Sequence, residues 1–289
     1  MLTYATPGPI TATVEVAGAQ VRVVASDRSD TVVSVEPINA ANRKDVRVAE
    51  KTKVDLACGQ LSVKTTVPGD KAGSVAITIA LPAGSSLVAY VAYSEVDARG
   101  SFGECELHMA SGRVRLDHTD ALRANISSGE VAVGRIVGRA DIHGGAFAMR
   151  IREAHGPVVF SNSGGTAWIG HAWADLDLQS AGCDFDIDRA DGSVTATTAG
   201  GAIRIGRMTN GHAKLTNASG NIEVGIGSST AGHIDVTSER GSVRDFFSPL
   251  QNPGPGNSQI SLYARTRHGD IIIRRAAGDH QKARVASTS

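Results

Sequence analysis

The side chains best placed for chemistry are the acids of Asp184-Phe-Asp-Ile-Asp188. Their alternation with Phe185 and Ile187 puts Asp184, Asp186 and Asp188 on one outward strand face, with Asp175, Asp177 and Asp191 close by in sequence. Such a group offers the hard oxygens that calcium takes and the paired acids that glycoside hydrolysis needs. The spacing fits neither an EF-hand loop nor the nonapeptide of calcium-binding β-rolls, so a solvated stripe that keeps the sheet soluble is the expectation. A second group is Trp168, His171 and Trp173. Trp168 falls at an outward strand position and Trp173 in the following turn, and with His171 they are a candidate recognition patch, Trp being enriched at interaction hot spots. The alternative is packing against a neighbouring loop. Phe246 and Phe247, beside a stretch rich in proline and glycine, are a third candidate: an exposed contact, or two rings folded back on the body.

Elsewhere the catalytic vocabulary is missing. Nine histidines are dispersed without HxH or HExxH spacing, and Gly225-Ile-Gly-Ser-Ser-Thr230 fits no phosphate-binding loop. Cys58, Cys105 and Cys183 form no CxxC pair and read as reduced structural thiols. No catalytic residue, cofactor site or metal site is assigned, and the chain reads as a non-enzyme.

The elements that must position these groups follow from composition and period. Among 289 residues, 33 are glycine and only 4% aromatic, which suits tight repeated turns better than a leucine-rich helical core. Lys and Arg total 29, as do Asp and Glu, so no net field draws the chain to nucleic acid or anionic lipid. No apolar run is long enough for membrane insertion, and the start lacks a signal-peptide pattern. The expected location is the cytoplasm, or outside it if a leader has been removed.

Aligning the chain on one glycine position gives Gly112, Gly129, Gly145, Gly165, Cys183, Gly201, Gly220, Gly241 and Gly269. Two and four residues after most anchors the chain is apolar, as in Val114 and Leu116, Phe185 and Ile187, or Ile222 and Val224. A second apolar pair precedes the anchor by seven and five residues, as in Leu176 and Leu178 or Ala213 and Leu215. Each repeat therefore holds two short strands about a corner, and a period near eighteen suits one rung of a parallel β-solenoid. Cys183 follows Gly182, which predicts a corner shifted by one residue. Three residues before the later anchors stand Asn162, Ser180, Thr198, Asn217, Ser238 and Thr266, a polar ladder expected to hydrogen-bond from rung to rung.

Residues 1–95 alternate strongly without the glycine period and are expected to form an N-terminal β cap, with a helical turn over 42–51. Residues 96–275 hold about nine solenoid rungs, and 276–289 form a flexible tail. The last rung, Gly269–Arg275, is expected to expose a strand edge.

The N-terminal alternation, the stretch Asp45-Val-Arg-Val-Ala-Glu-Lys-Thr-Lys-Val-Asp55, the segment Ile77-Thr-Ile-Ala-Leu-Pro-Ala-Gly84 and the S-G-x-V rungs together resemble the DUF4097 family, the bacterial putative-adhesin β-strand repeat proteins, in their actinobacterial form. The resemblance covers about residues 1–275. It implies an all-β, right-handed β-helix with no assigned catalytic residues. The functional expectation is a non-catalytic β-solenoid binding or scaffold protein whose partner is an unknown protein or a second copy. The alternatives are a self-assembling, bactofilin-like structural protein and, third, a polysaccharide-active β-helix enzyme. Carbohydrate is a weaker partner class, because so aromatic-poor a chain offers few stacking rings.

Overall fold

A computed structural model describes residues 1–65, 73–227, 230–246 and 258–276, which fall into two compact units, Met1–Arg150 and Ile151–Ser289. The fold is an all-β, right-handed parallel solenoid with an N-terminal β cap.

The first unit opens with β1 (Leu2–Ala5), β2 (Thr11–Ala17), β3 (Ala19–Ser26) and β4 (Asp30–Pro37). Helix α1 (Arg43–Lys51) follows, its first turn capped by the Asn42 side chain, which accepts from Lys44 N–H. Then come β5 (Lys53–Ala57), β6 (Gln60–Lys64), β7 (Val75–Pro82) and the long β8 (Ser86–Ile136). β2 lies in parallel between β6 and β8, and β3 between β7 and β8. The first rung in sequence is therefore internal to the stack. β4 and β5 run antiparallel to β7 and β6 and cap it, with β1 antiparallel to β4. β8 coils through its rungs by bending at residues of positive φ, among them Gly100, Gly112 and Gly129. A Cβ on Gly129 would stand 2.3 Å from Gly112 O, so only glycine lets successive corners approach this closely.

β9 (Ala140–Ala154) carries the chain into the second unit. There β10 (Val158–Asn162), β11 (Gly164–Ala172), β12 (Leu176–Ser180), β13 (Cys183–Ala190), β14 (Val194–Gly200), β15 (Ile203–Met208), β16 (Gly211–Ser219) and β17 (Ile222–Ile226) alternate between two parallel ladders. β10, β12, β14 and β16 stack in one, and β11, β13, β15 and β17 in the other. The inward residues are those expected from the period: Leu176, Leu178, Phe185, Ile187, Ile203, Ile205, Ile222 and Val224 are all at most 2% exposed. Each such side chain stabilises the fold by about 1.5–3 kcal/mol relative to an exposed one. Phe160 and Phe185 meet edge to face across this core, centroids 5.9 Å apart.

Three expectations change. First, the order of the final rungs is exchanged. β20 (Ser258–His268) lies between β16 and β18 (Thr230–Ser238), and β21 (Ile271–Arg275) between β17 and β19 (Val243–Asp245). The corner glycines agree: a Cβ on Gly269 would meet Gly220 O at 2.1 Å, and one on Gly241 would meet Gly269 O at 2.0 Å. The strand Gly269–Arg275 is thus paired on both sides, and the outermost rung is β18–β19. Second, the polar ladder binds backbone, not its own members. Asn217 Nδ2 donates to Gly201 O and Gly220 O, Thr198 Oγ1 to Gly200 O and Ser238 Oγ to Gly269 O, so these side chains satisfy carbonyls freed at the corners. Third, Cys183 keeps the anchor register, pairing with Gly165, and no shift to Gly182 occurs. Of the tail 276–289, residues 277–289 lie outside the described residues.

Candidate functional site

The outward face of the second unit holds most of the residues singled out by sequence. The acids on β13 stand side by side as expected, but each has a partner. Asp186 accepts from Arg204, which also lies 3.7 Å from Asp188, and Asp184 Oδ1 accepts the Ala202 N–H at 2.8 Å. On neighbouring rungs Asp175 accepts the Ser193 N–H and Asp177 the Gln179 amide. Asp175, Asp184 and Asp186 tie one rung to the next, Asp177 stays within its own strand, and among the described residues no three His, Cys, Asp or Glu side chains converge to hold a metal. The stripe is a set of inter-rung braces.

Of the aromatic group, His171 and Trp173 come together, and a residue not singled out joins them. His155 stacks on Trp173 with centroids 4.1 Å apart, and His171 stacks on it at 3.5 Å. Two rings at those distances overlap if they share one face, so the indole is sandwiched between imidazoles. His171 Nε2 donates to Asp191 Oδ2 at 2.6 Å, and Asp191 also accepts from Arg189 and from Thr209 Oγ1. Burial alone would raise the Asp191 carboxyl, but the bonds from Thr209, Arg189 and His171 outweigh it and hold the group below the usual carboxylate range. Trp173 thus carries an imidazole on each face and is still 39% exposed. Trp168 is placed elsewhere on β11: it stands in register with Asp186 and its ring lies over Gly170. It is half-buried. Phe246 is 66% exposed, and Phe247 lies outside the described residues.

A different arrangement occurs on the first unit, where sequence reasoning nominated nothing. β-Ladder register places Lys64, Glu15 and Tyr90 side by side on three adjoining strands. Tyr90 stacks on His108 with centroids 4.7 Å apart and planes within 6°, a spacing set by the strand separation. Asn125 and Ser127 continue the lining of a groove of about 600 Å³. Beside the polar column the surface is made of Ala17, Ala92 and Ala110. Lys64 Nζ binds Glu15 Oε2 at 2.6 Å, and His108 Nε2 meets Glu106 Oε1 at 2.7 Å. Tyr90 remains 43% exposed. The signal in sequence was an outward aromatic eighteen residues before an outward histidine, one period apart. It was hidden because that part of the chain lacks the glycine anchor used to align the rest.

The sequence profile of the family described as Toastrack DUF4097 matches residues 12–281. The chain belongs to the Toastrack DUF4097 family. Solved structures similar to this Toastrack chain include three bacterial proteins described as putative adhesins. That of Parabacteroides merdae is 10% identical, with 94% of each chain covered and a TM-score of 0.45. That of Parabacteroides distasonis is 11% identical, covering 94% of this chain and 95% of its own, with a TM-score of 0.40. That of Bacteroides fragilis is 12% identical with the same coverage and a TM-score of 0.35. No curated protein matches the chain. Family membership thus gives the Toastrack fold, and the function has to be argued from the surface.

Proposed function

We propose that this chain is a non-catalytic β-solenoid binding protein whose recognition surface is the Tyr90–His108 groove of the first unit. The observation that supports this reading is that Tyr90, 43% exposed, stands in a sizeable groove with hydrogen-bonding groups around it, whereas Trp173 is stacked by two imidazoles. Binding sites are concave and mostly apolar, with a few convergent polar groups, and the groove has that composition. The carboxylates on β13 are engaged by Arg204 and a backbone amide, which leaves them no role as a free acid and base. An array of immobilised glycans, peptides and proteins tests the reading. Wild type is expected to give a saturable signal that Tyr90→Ala loses and Trp173→Ala keeps. Equal signals from all three proteins, or chemical conversion of the captured ligand, would overturn it.

A second reading, self-association as a scaffold, has one observation in its favour. Among the described residues no strand pairs with the outer edge of β18 or β19, and the inward-facing Ile234 and Val236 of that rung are only half-buried. Sedimentation velocity across a range of concentrations decides it: a single monomeric species throughout removes the scaffold.

A further inference from the structure

We propose that the ligand of the Tyr90–His108 groove is an extended, uncharged glycan lying along the solenoid axis, one sugar per rung. This rests on the binding role assigned to the groove above and adds the class of its ligand. Four properties point to it. The groove crosses strands at successive rungs, so its side chains repeat at about 4.8 Å, close to the length of one extended pyranose unit. An oligosaccharide laid along it meets Lys64, Glu15, Tyr90, His108 and Asn125 in turn. Its volume of about 600 Å³ suits a short oligosaccharide and leaves room for bridging water.

The surface is two-sided in the way a sugar is. Pyranose rings present apolar C–H faces and polar hydroxyl edges. Ala17, Ala92 and Ala110 offer an apolar floor beside the edges of the Tyr90 and His108 rings, which stack along the column, while Asn125, Ser127 and the Glu15 carboxylate offer both donors and acceptors to hydroxyls. Charge then selects within sugars. Among the described lining residues Lys64 is bound to Glu15 and His108 to Glu106, so none of them is a free cation for a uronate or sulfate, which bind best to unpaired arginine. Other polymers fit less well. An extended peptide binds by pairing its backbone with a free strand edge, and β2 already has neighbours on both sides, β6 and β8. A nucleic acid needs a basic track, and the described lining has one lysine, Lys64, already bound to Glu15.

The test is isothermal titration of the full chain with cellopentaose and chitopentaose, and with oligogalacturonate of the same length. A neutral pentasaccharide is expected to bind and the uronate not. Tyr90→Ala is expected to weaken binding about tenfold or more, while Tyr90→Phe, which keeps the ring and its stack on His108, stays near wild type. Circular dichroism of each variant checks that the fold is intact; should Tyr90→Ala misfold, Asn125→Ala on the same lining is read in its place. The proposal is overturned if neither neutral oligosaccharide binds, if the uronate binds better, or if Tyr90→Ala binds as wild type does. Should the array show a Tyr90-dependent ligand while no oligosaccharide titrates, the groove stands as the binding surface and the glycan assignment alone falls.

Discussion

Replacing Gly220 by alanine tests the corner that the solenoid repeats. Gly220 has φ +126°, a conformation that L side chains rarely adopt, and an added Cβ would stand 2.3 Å from Gly201 O and 2.7 Å from its carbonyl carbon. The first contact is more than 1 Å short of the 3.4 Å at which ordinary contact begins. The backbone conformation alone costs alanine about 1–3 kcal/mol. Relief of the overlap requires the two rungs to part, and at this corner they are joined by hydrogen bonds such as Gly201 N to Ser219 O and Ile203 N to Asn221 O, each 2.9 Å. Lengthening a 2.9 Å bond by an ångström breaks it, at about 1 kcal/mol net apiece. Gly220→Ala is therefore expected to lose about 3–5 kcal/mol. Gly182→Ala is the control: its Cβ would meet nothing closer than Gly200 O at 3.6 Å, and its φ lies outside the range closed to L residues, so the change stays within about 1 kcal/mol. Urea unfolding followed by tryptophan emission measures both, since Trp168 and Trp173, the only tryptophans, report from the same unit as these glycines. A Gly220→Ala protein as stable as wild type, or a Gly182→Ala protein equally damaged, would refute the close-corner account.

Other outcomes follow from the same structure. Asp191 is held below the usual carboxylate range in the folded state, so its contribution is present above the unfolded carboxyl pKa near 4 and fades as pH falls through the lower folded value. Asp191→Asn should destabilise at neutral pH by about 1–2 kcal/mol, and urea midpoints should converge with wild type in acid; a pH-independent gap would contradict the assignment. Trp173→Ala removes a partly exposed ring stacked by two imidazoles and is expected to lower stability by about 1–2 kcal/mol in the same assay; a loss under about 0.5 kcal/mol would mean the stack is not structural. Burial pushes the Cys105 and Cys183 thiols up to about 11, whereas Cys58 is exposed. Titration of the native protein with a disulfide reagent at mild pH should find one fast thiol, abolished by Cys58→Ser, and three after denaturation.

Some of this was legible in the amino-acid order. The inward pairs around each anchor are a local signal, because alternation with period two assigns a face before any partner is known. A helical turn was expected over 42–51, and the structure forms a nine-residue helix there, Arg43–Lys51, with Asn42 as its cap. The fate of the outward residues was not. Asp184 and Asp186 read alike in sequence, yet one accepts a backbone amide and the other an arginine eighteen residues on. Tyr90 and His108 became a pair only because the coil brings them to one column.

The sequence by itself therefore determined that the chain coils, and which side chains face inward, since that pattern is carried by each residue and its immediate neighbours. Which rung lies on which was decided only by the tertiary structure. Ala213, Leu262 and Ile234 occupy the same register position, and nothing in an inward apolar residue states whose neighbour it must be. Any rung of this period can hydrogen-bond to any other. The exchange that places β20 and β21 beneath β18 and β19 is thus a property of the assembled stack, as is the alignment of Lys64, Glu15 and Tyr90 into one wall of a groove.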